Sequence, residues 1–102
     1  MKVLLTPRAE SQLGALPDLA AKRVVVALRI LGGAPRSGQP YPTDSPLRGL
    51  FYKNVVVRAR RWTYRLTYEL DEDNDAIWVH YLYPSSYPPT HPDFGRPRSE
   101  EE

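Results

Sequence analysis

Between Leu47 and Arg65 the chain carries Arg48, Lys53, Arg58, Arg60, Arg61 and Arg65, and no acid at all. A basic block of this kind predicts an anionic partner, nucleic acid first, because crowded cations are relieved by a polyanion. The plainer alternative is a solvated sheet face neutralised by a neighbouring element, and composition leaves both open. His80 is the second group with chemistry to offer, since histidine alone titrates unperturbed near neutral pH and could act as base or acid. A lone histidine on a strand is also readily a packed or half-buried residue. Seven tyrosines and two tryptophans interleave with these basic residues, a composition suited to stacking the bases of single-stranded RNA. Aromatic strands also arise for packing reasons alone.

Other chemistries are excluded by what is missing. There is no cysteine, hence no disulfide, thiolate zinc site or cysteine nucleophile. No glycine-rich phosphate loop, paired-histidine metal motif or nucleophile elbow is present, so neither cofactor nor metal is expected. At 102 residues the chain holds one domain, and at 41% hydrophobic and 25% charged it is too apolar for a disordered one. No apolar run approaches the roughly 18 residues of a membrane span. The N-terminus MKVLLTPRAE falls short of a secretory segment, so the expected location is the cytoplasm. The formal charge of +2 is uneven: of 14 basic and 12 acidic residues, Asp93 and Glu100, Glu101 and Glu102 stand at the C-terminal end against Arg96 and Arg98, leaving 12 basic and 8 acidic before them.

The elements that must position these groups follow from pattern. Lys2 to Leu5 is a short apolar run, a first strand, stopped by Thr6 as helix cap and Pro7 at the first helical position. Ala9, Leu13 and Leu16 recur at helical spacing up to Pro17. A second helix runs from about Asp18 to Leu31, with Ala20, Val24, Ala27, Leu28 and Leu31 as its buried stripe and Gly32 and Gly33 as its stop. Residues 34–46 hold four prolines and read as a loop without regular structure. Phe51 to Ala59, Trp62 to Leu70 and Ala76 to Tyr83 are three strands, the last two joined by the polar turn Asp71 to Asp75. The predicted domain spans residues 1–83, and 84–102 form a proline-rich, acidic-ended tail.

The expected fold is therefore α+β: an N-terminal strand and a two-helix hairpin packed on a small twisted antiparallel sheet. Alternation places Trp62, Tyr64, Leu66, Tyr68 and Leu70 in the core with Val55 and Val57, and Thr63, Arg65, Thr67 and Glu69 on the open face with Asn54, Val56 and Arg58. In the last strand Ile77, Val79, Tyr81 and Tyr83 are assigned to the core, and Trp78, His80 and Leu82 to the other side. The open face then gathers Arg58, Arg65, Thr67 and His80. Trp78 and Tyr52 are its aromatic candidates, and Trp62 beside Arg60 and Arg61 marks a hairpin tip able to anchor phosphate.

LTPRAESQLGALP at residues 5–17, LRGL at 47–50, VVVR at 55–58 and YRLTYEL at 64–70 stand in an order and spacing that resembles the RelE/ParE toxins of bacterial type II toxin–antitoxin systems. The resemblance covers residues 2–83. It implies a sheet like that of the microbial RNases, a cognate antitoxin as partner, and growth inhibition. Two activities occur in that superfamily: ribosome-dependent mRNA cleavage and poisoning of DNA gyrase. Fold cannot choose between them. The basic open face favours cleavage, with ribosome and mRNA as further partners and no membrane. Gyrase poisoning and a catalytically inactive, protein-binding relative are the alternatives.

Metal-free RNA cleavage needs a base for the 2′-hydroxyl proton, cations for the phosphorane, and an acid for the leaving oxygen. By resemblance Arg65 takes the phosphate-contacting position, and the alternative is a surface ion pair with Glu69. Arg58 closes the preceding strand as a second cation, or merely supports the sheet. His80 and Tyr87 are the remaining catalytic candidates, with His91 a further stand-in at the C-terminal end. Glu69 is in principle a general base. Arg48, Lys53, Arg60 and Arg61 are assigned to substrate binding. The chain departs from the family in having Asn54 and Val56 where well-known members place lysines, and in having no arginine after the last strand until Arg96. Those departures favour a binding surface over a nuclease site.

Overall fold

Thr6 does more than end the first strand. In the computed structural model, which describes residues 1–58 and 62–84, β1 (Lys2–Leu5) runs directly into α1 (Pro7–Gly14). The Thr6 hydroxyl accepts from the Ala9 N–H at 3.2 Å and donates to the His80 carbonyl at 3.3 Å. One buried side chain thus caps a helix and ties it to the sheet. After α2 (Asp18–Gly33) come β2 (Gln39–Pro40), β3 (Phe51–Arg58), β4 (Trp62–Asp71) and β5 (Ala76–Pro84). The sheet has five strands in the order β1-β5-β4-β3-β2, antiparallel from β2 to β5, with β1 added parallel to β5. The two-helix, mixed-sheet architecture is the α+β fold expected of the sequence.

β1 pairs with β5 only as far as Val79, so the edge of β5 beyond it needs other partners. α1 supplies one: Gln12 Oε1 accepts from the Leu82 N–H at 2.7 Å. α2 packs through Ala20, Val24 and Leu31, with Ala27 and Leu28 half-buried, as its periodicity requires. The face that the helices cover gathers Ala9, Leu31, Tyr68, Ile77 and Val79 in one cluster and Val24, Val55, Leu66 and Leu82 in another.

Two features depart from simple alternation. The first is a bulge in β5: Val79 pairs with Tyr68 and Tyr81 with Thr67, so His80 is the additional residue. Each β5 side chain after it changes face. Ile77 and Val79 lie under the helices as expected, but Leu82 joins them, and Tyr81 and Tyr83 turn to the opposite face. The second concerns that opposite face, which is not free. Residues 41–50 close on themselves through the Tyr41 N–H and the Leu50 carbonyl at 3.0 Å, and lay Tyr41 and Leu47 over Tyr81 and Tyr83.

The chain reaches that position through a short edge strand inside the proline-rich segment, where no regular element was expected. β2 pairs Gln39 with Tyr52 and Pro40 with Phe51 at the sheet's edge, where a proline's missing N–H removes no necessary ladder bond. Gly38 sets the approach. Its N–H donates to Tyr68 Oη at 3.0 Å, and a Cβ there would stand 2.1 Å from that oxygen and 2.7 Å from the Tyr52 carbonyl. Tyr68 Oη in turn donates to the Pro35 carbonyl at 3.2 Å, so a core tyrosine fastens the crossing segment.

Candidate functional site

Arg65 stands on the loop-covered face at the point where the loop stops covering it. Its β3 partner is Asn54, whose Oδ1 accepts from Arg65 Nε at 3.1 Å. The guanidinium lies over the Tyr52 ring, 4.5 Å from its centroid. Stacking and one hydrogen bond therefore fix the plane of the group, and its Nη atoms make no hydrogen bond among the described residues. A fork held this way is prepared for an oxyanion.

Beside it opens a groove of about 360 Å³ lined by Tyr41, Pro42, Asp44, Ser45, Pro46, Tyr52 and Arg65. Turns at Pro42–Ser45 and Ser45–Arg48 shape the loop wall, and Ser45 Oγ accepts from the Leu47 N–H at 3.1 Å. Beneath, three hydroxyls form a closed triangle: Tyr41 to Thr67 at 2.8 Å, Tyr41 to Tyr83 at 2.9 Å and Thr67 to Tyr83 at 3.2 Å. Burial pushes the Tyr41 phenol well above its ordinary pKa, and Tyr83 adds to the effect while Thr67 and the Arg65 charge oppose it. Tyr41 therefore stays a neutral hydroxyl at physiological pH and is no general base.

The other expected site residues fall in different places. His80 is buried rather than on an open face with Arg58 and Arg65, because the bulge draws it into the sheet beside Tyr81. Its Nε2 meets Glu69 Oε1 at 2.9 Å, and its Nδ1 has no hydrogen-bond partner among the described residues. Thr67 is likewise buried, inside the hydroxyl triangle. Glu69, expected beside Arg65, faces His80 instead, while Arg65 is held by Asn54. Lys53 pairs with Leu66, on the helix side of the sheet, and its Nζ donates to Ser37 Oγ at 3.0 Å, away from Arg65. Arg48 is exposed on the loop. The backbone of Arg58 closes β3 opposite Trp62 after a register shift. Arg60, Arg61, Tyr87 and His91 lie outside the described residues.

Sequence reasoning put Asn54 on the face of Arg65 but gave it no role there beyond a lost lysine, and it missed the loop residues Asp44 and Ser45. Parity gives the face of Asn54, whereas its place directly opposite Arg65 depends on the β3–β4 register. Nothing in the sequence says where the loop lies.

No family model and no curated protein matches the sequence. Solved structures do. A chain of the RelBE2 toxin–antitoxin complex from Mycobacterium tuberculosis is 28% identical, with a TM-score of 0.65 over 81% of this chain and 95% of that one. A chain of the intact E. coli RelBE toxin–antitoxin complex has a TM-score of 0.65 at 15% identity, over 84% of this chain and 98% of its own. The YoeB/ParE toxin from Agrobacterium tumefaciens has a TM-score of 0.60 at 15% identity, over 82% and 98%. At 15% identity the last two speak for fold alone. Sequence pattern, sheet order and these likenesses agree: the chain has the fold of the RelE/ParE toxins, and a toxin of that type fits it.

Proposed function

We propose that this toxin acts on RNA, cutting mRNA in the ribosome, with Arg65 as the phosphate-binding cation. The observation that carries the reading is the orientation of Arg65: stacked on Tyr52, tied through Nε to Asn54, and open at Nη beside a groove. A guanidinium fixed before substrate arrives stabilises charge that develops on the phosphorane without reorganising during the reaction. Arg48 and Arg58, with Arg60 and Arg61, add attraction for the backbone. His80, buried beside Glu69, does not reach the surface where substrate would lie, so that role passes to other groups, Tyr87 among them.

A cognate antitoxin is the expected partner. α2 turns Leu19, Val26 and Ile30 to solvent along one stripe with Arg23, a surface suited to an amphipathic acidic segment. Two of the similar structures are toxin–antitoxin complexes.

Gyrase poisoning is the second reading, favoured by the burial of His80 and by Asn54 and Val56 standing where lysines would serve a nuclease. Induction in a bacterial host, with mapping of mRNA 5′ ends and a supercoiling assay on the purified protein, separates the two. Translation-dependent breaks within codons are expected. Arg65→Ala should reduce them at least a hundredfold, as loss of a transition-state donor does, while leaving the fold intact. Intact mRNA with inhibited supercoiling would transfer the protein to the gyrase branch.

A further inference from the structure

The groove beside Arg65 holds a second charged group that the phosphate reading does not use. Asp44 lines the same groove, yet among the described residues no ion pair joins the two, and the Asp44 carboxylate makes no hydrogen bond there. Arg65 is held back by Asn54 and Tyr52, and Asp44 is carried on the loop wall. A cation and an anion kept apart across an aromatic-lined groove do not suit a simple anion, which the carboxylate would repel. They suit a ligand with a phosphate at one end and hydrogen-bond donors at the other.

We propose that this groove is a nucleotide subsite in which Arg65 holds the phosphate and Asp44 reads guanine. The inference rests on the RNA-acting reading of the site. The base lies in the groove against the Arg65–Tyr52 stack, as unpaired RNA bases do on guanidinium planes and aromatic rings. A carboxylate offers two acceptors side by side. Guanine alone presents two parallel donors on its Watson–Crick edge, the N1–H and the N2 amino group. Adenine and cytosine each set an amino donor beside an unprotonated ring nitrogen, which faces the second carboxylate oxygen unfavourably. Uracil flanks one donor with two carbonyls. Asp44 is thus a specificity-determining residue, and Arg65 contributes equally for all four bases.

The test is NMR titration of the full chain with the 3′-monophosphates of guanosine, adenosine, cytidine and uridine, beside cleavage mapping in cells. Shifts are expected at residues 41–45, Tyr52 and Arg65, with guanosine 3′-monophosphate binding about tenfold more tightly than the others, as one bidentate base contact provides. Asp44→Asn should erase that preference without weakening adenosine 3′-monophosphate, since an uncharged amide sets one acceptor and one donor against the adenine edge, whereas Arg65→Gln should weaken all four together. Equal binding of the four nucleotides, or a guanosine preference that survives Asp44→Asn, overturns the subsite. So does a uniform loss of affinity in Asp44→Asn, which would make Asp44 a structural residue. A protein that cuts mRNA but binds the four alike loses the subsite and keeps the nuclease reading. One that prefers guanosine 3′-monophosphate but leaves mRNA intact loses the nuclease reading alone.

Discussion

The two faces of this sheet are covered by different means, and the difference divides stability from chemistry. Under α1 and α2 the contacts are apolar and follow strand alternation: Val24, Val55, Leu66 and Leu82 in one cluster, Leu31, Ile77 and Val79 in another. Over the other face lies a loop that brings Tyr41 and Leu47 onto Tyr81 and Tyr83 and meets three buried hydroxyls with one another. The loop covers only part of its own face and leaves Arg65, Tyr52 and Asp44 around an open groove. A helical layer contributes burial in proportion to its apolar stripe, whereas a loop can stop short and expose oriented polar groups at its edge.

The sharpest test of that division uses neighbouring residues on β4 that point to opposite faces. Leu66 is fully buried in the helix-side cluster. Leu66→Ala should cost about 3 kcal/mol of unfolding free energy in urea, from lost transfer energy and the cavity left behind. Activity per folded molecule should be unchanged. Arg65→Ala should do the reverse, abolishing growth inhibition with an unfolding midpoint close to wild type. If Leu66→Ala removed activity from protein that is still folded, the faces would be coupled and the division would fail.

Gly38→Ala attacks the point where the faces meet. The new Cβ would collide with Tyr68 Oη and the Tyr52 carbonyl, and neither can yield cheaply: Tyr68 is fully buried and the carbonyl belongs to β3. Overpacking of this kind costs about 2 kcal/mol. Because β2 and the following loop hang from this position, the groove should loosen too, with binding lost alongside stability. Urea unfolding and nucleotide titration of the same sample check both. A destabilised protein with an intact groove would show that the loop is held by Tyr41 and Leu47 instead.

How much of this could be read from sequence depended on whether the cause was local. Thr6 and Pro7, the stripe on α2 and the turn at residues 71–75 carry their own signals, and the structure places them as expected. Alternation on β3 and β4 also held, with Val55 and Leu66 inside and Asn54 and Val56 out. It failed after His80, because one inserted residue reverses every later side chain. That bulge is stabilised from far away in the chain, through Thr6 and Gln12. The candidate site was legible as Arg65 and as a basic face. Its wall was not, since prolines mark residues 34–46 as a loop but say nothing about which face they cross. Fixing that placement takes Gly38 against Tyr68 and Tyr41 against Thr67, contacts between residues about thirty positions apart.

The smallest effect concerns the hydroxyls under the groove, and it distinguishes a polar floor from an apolar one by pH. Tyr41 is protonated in the folded protein well beyond the ordinary phenol value of 10.0, because burial disfavours the phenolate. Above that value the unfolded chain releases the proton while the folded one retains it. The stability tied to this group is therefore fully present below pH 10 and falls as the pH rises further. Tyr41→Phe removes the titrating group together with its hydrogen bonds to Thr67 and Tyr83. At neutral pH the variant should be less stable by about 1 kcal/mol, the usual net worth of such bonds. Above pH 10 the gap should close, since only the wild type then loses stability through this phenol. Urea midpoints of both proteins at neutral pH and at two alkaline values measure it. A gap that stays constant into the alkaline range would mean that the Tyr41 hydroxyl is reached by solvent, and that the loop covers its face less tightly than the helices cover theirs.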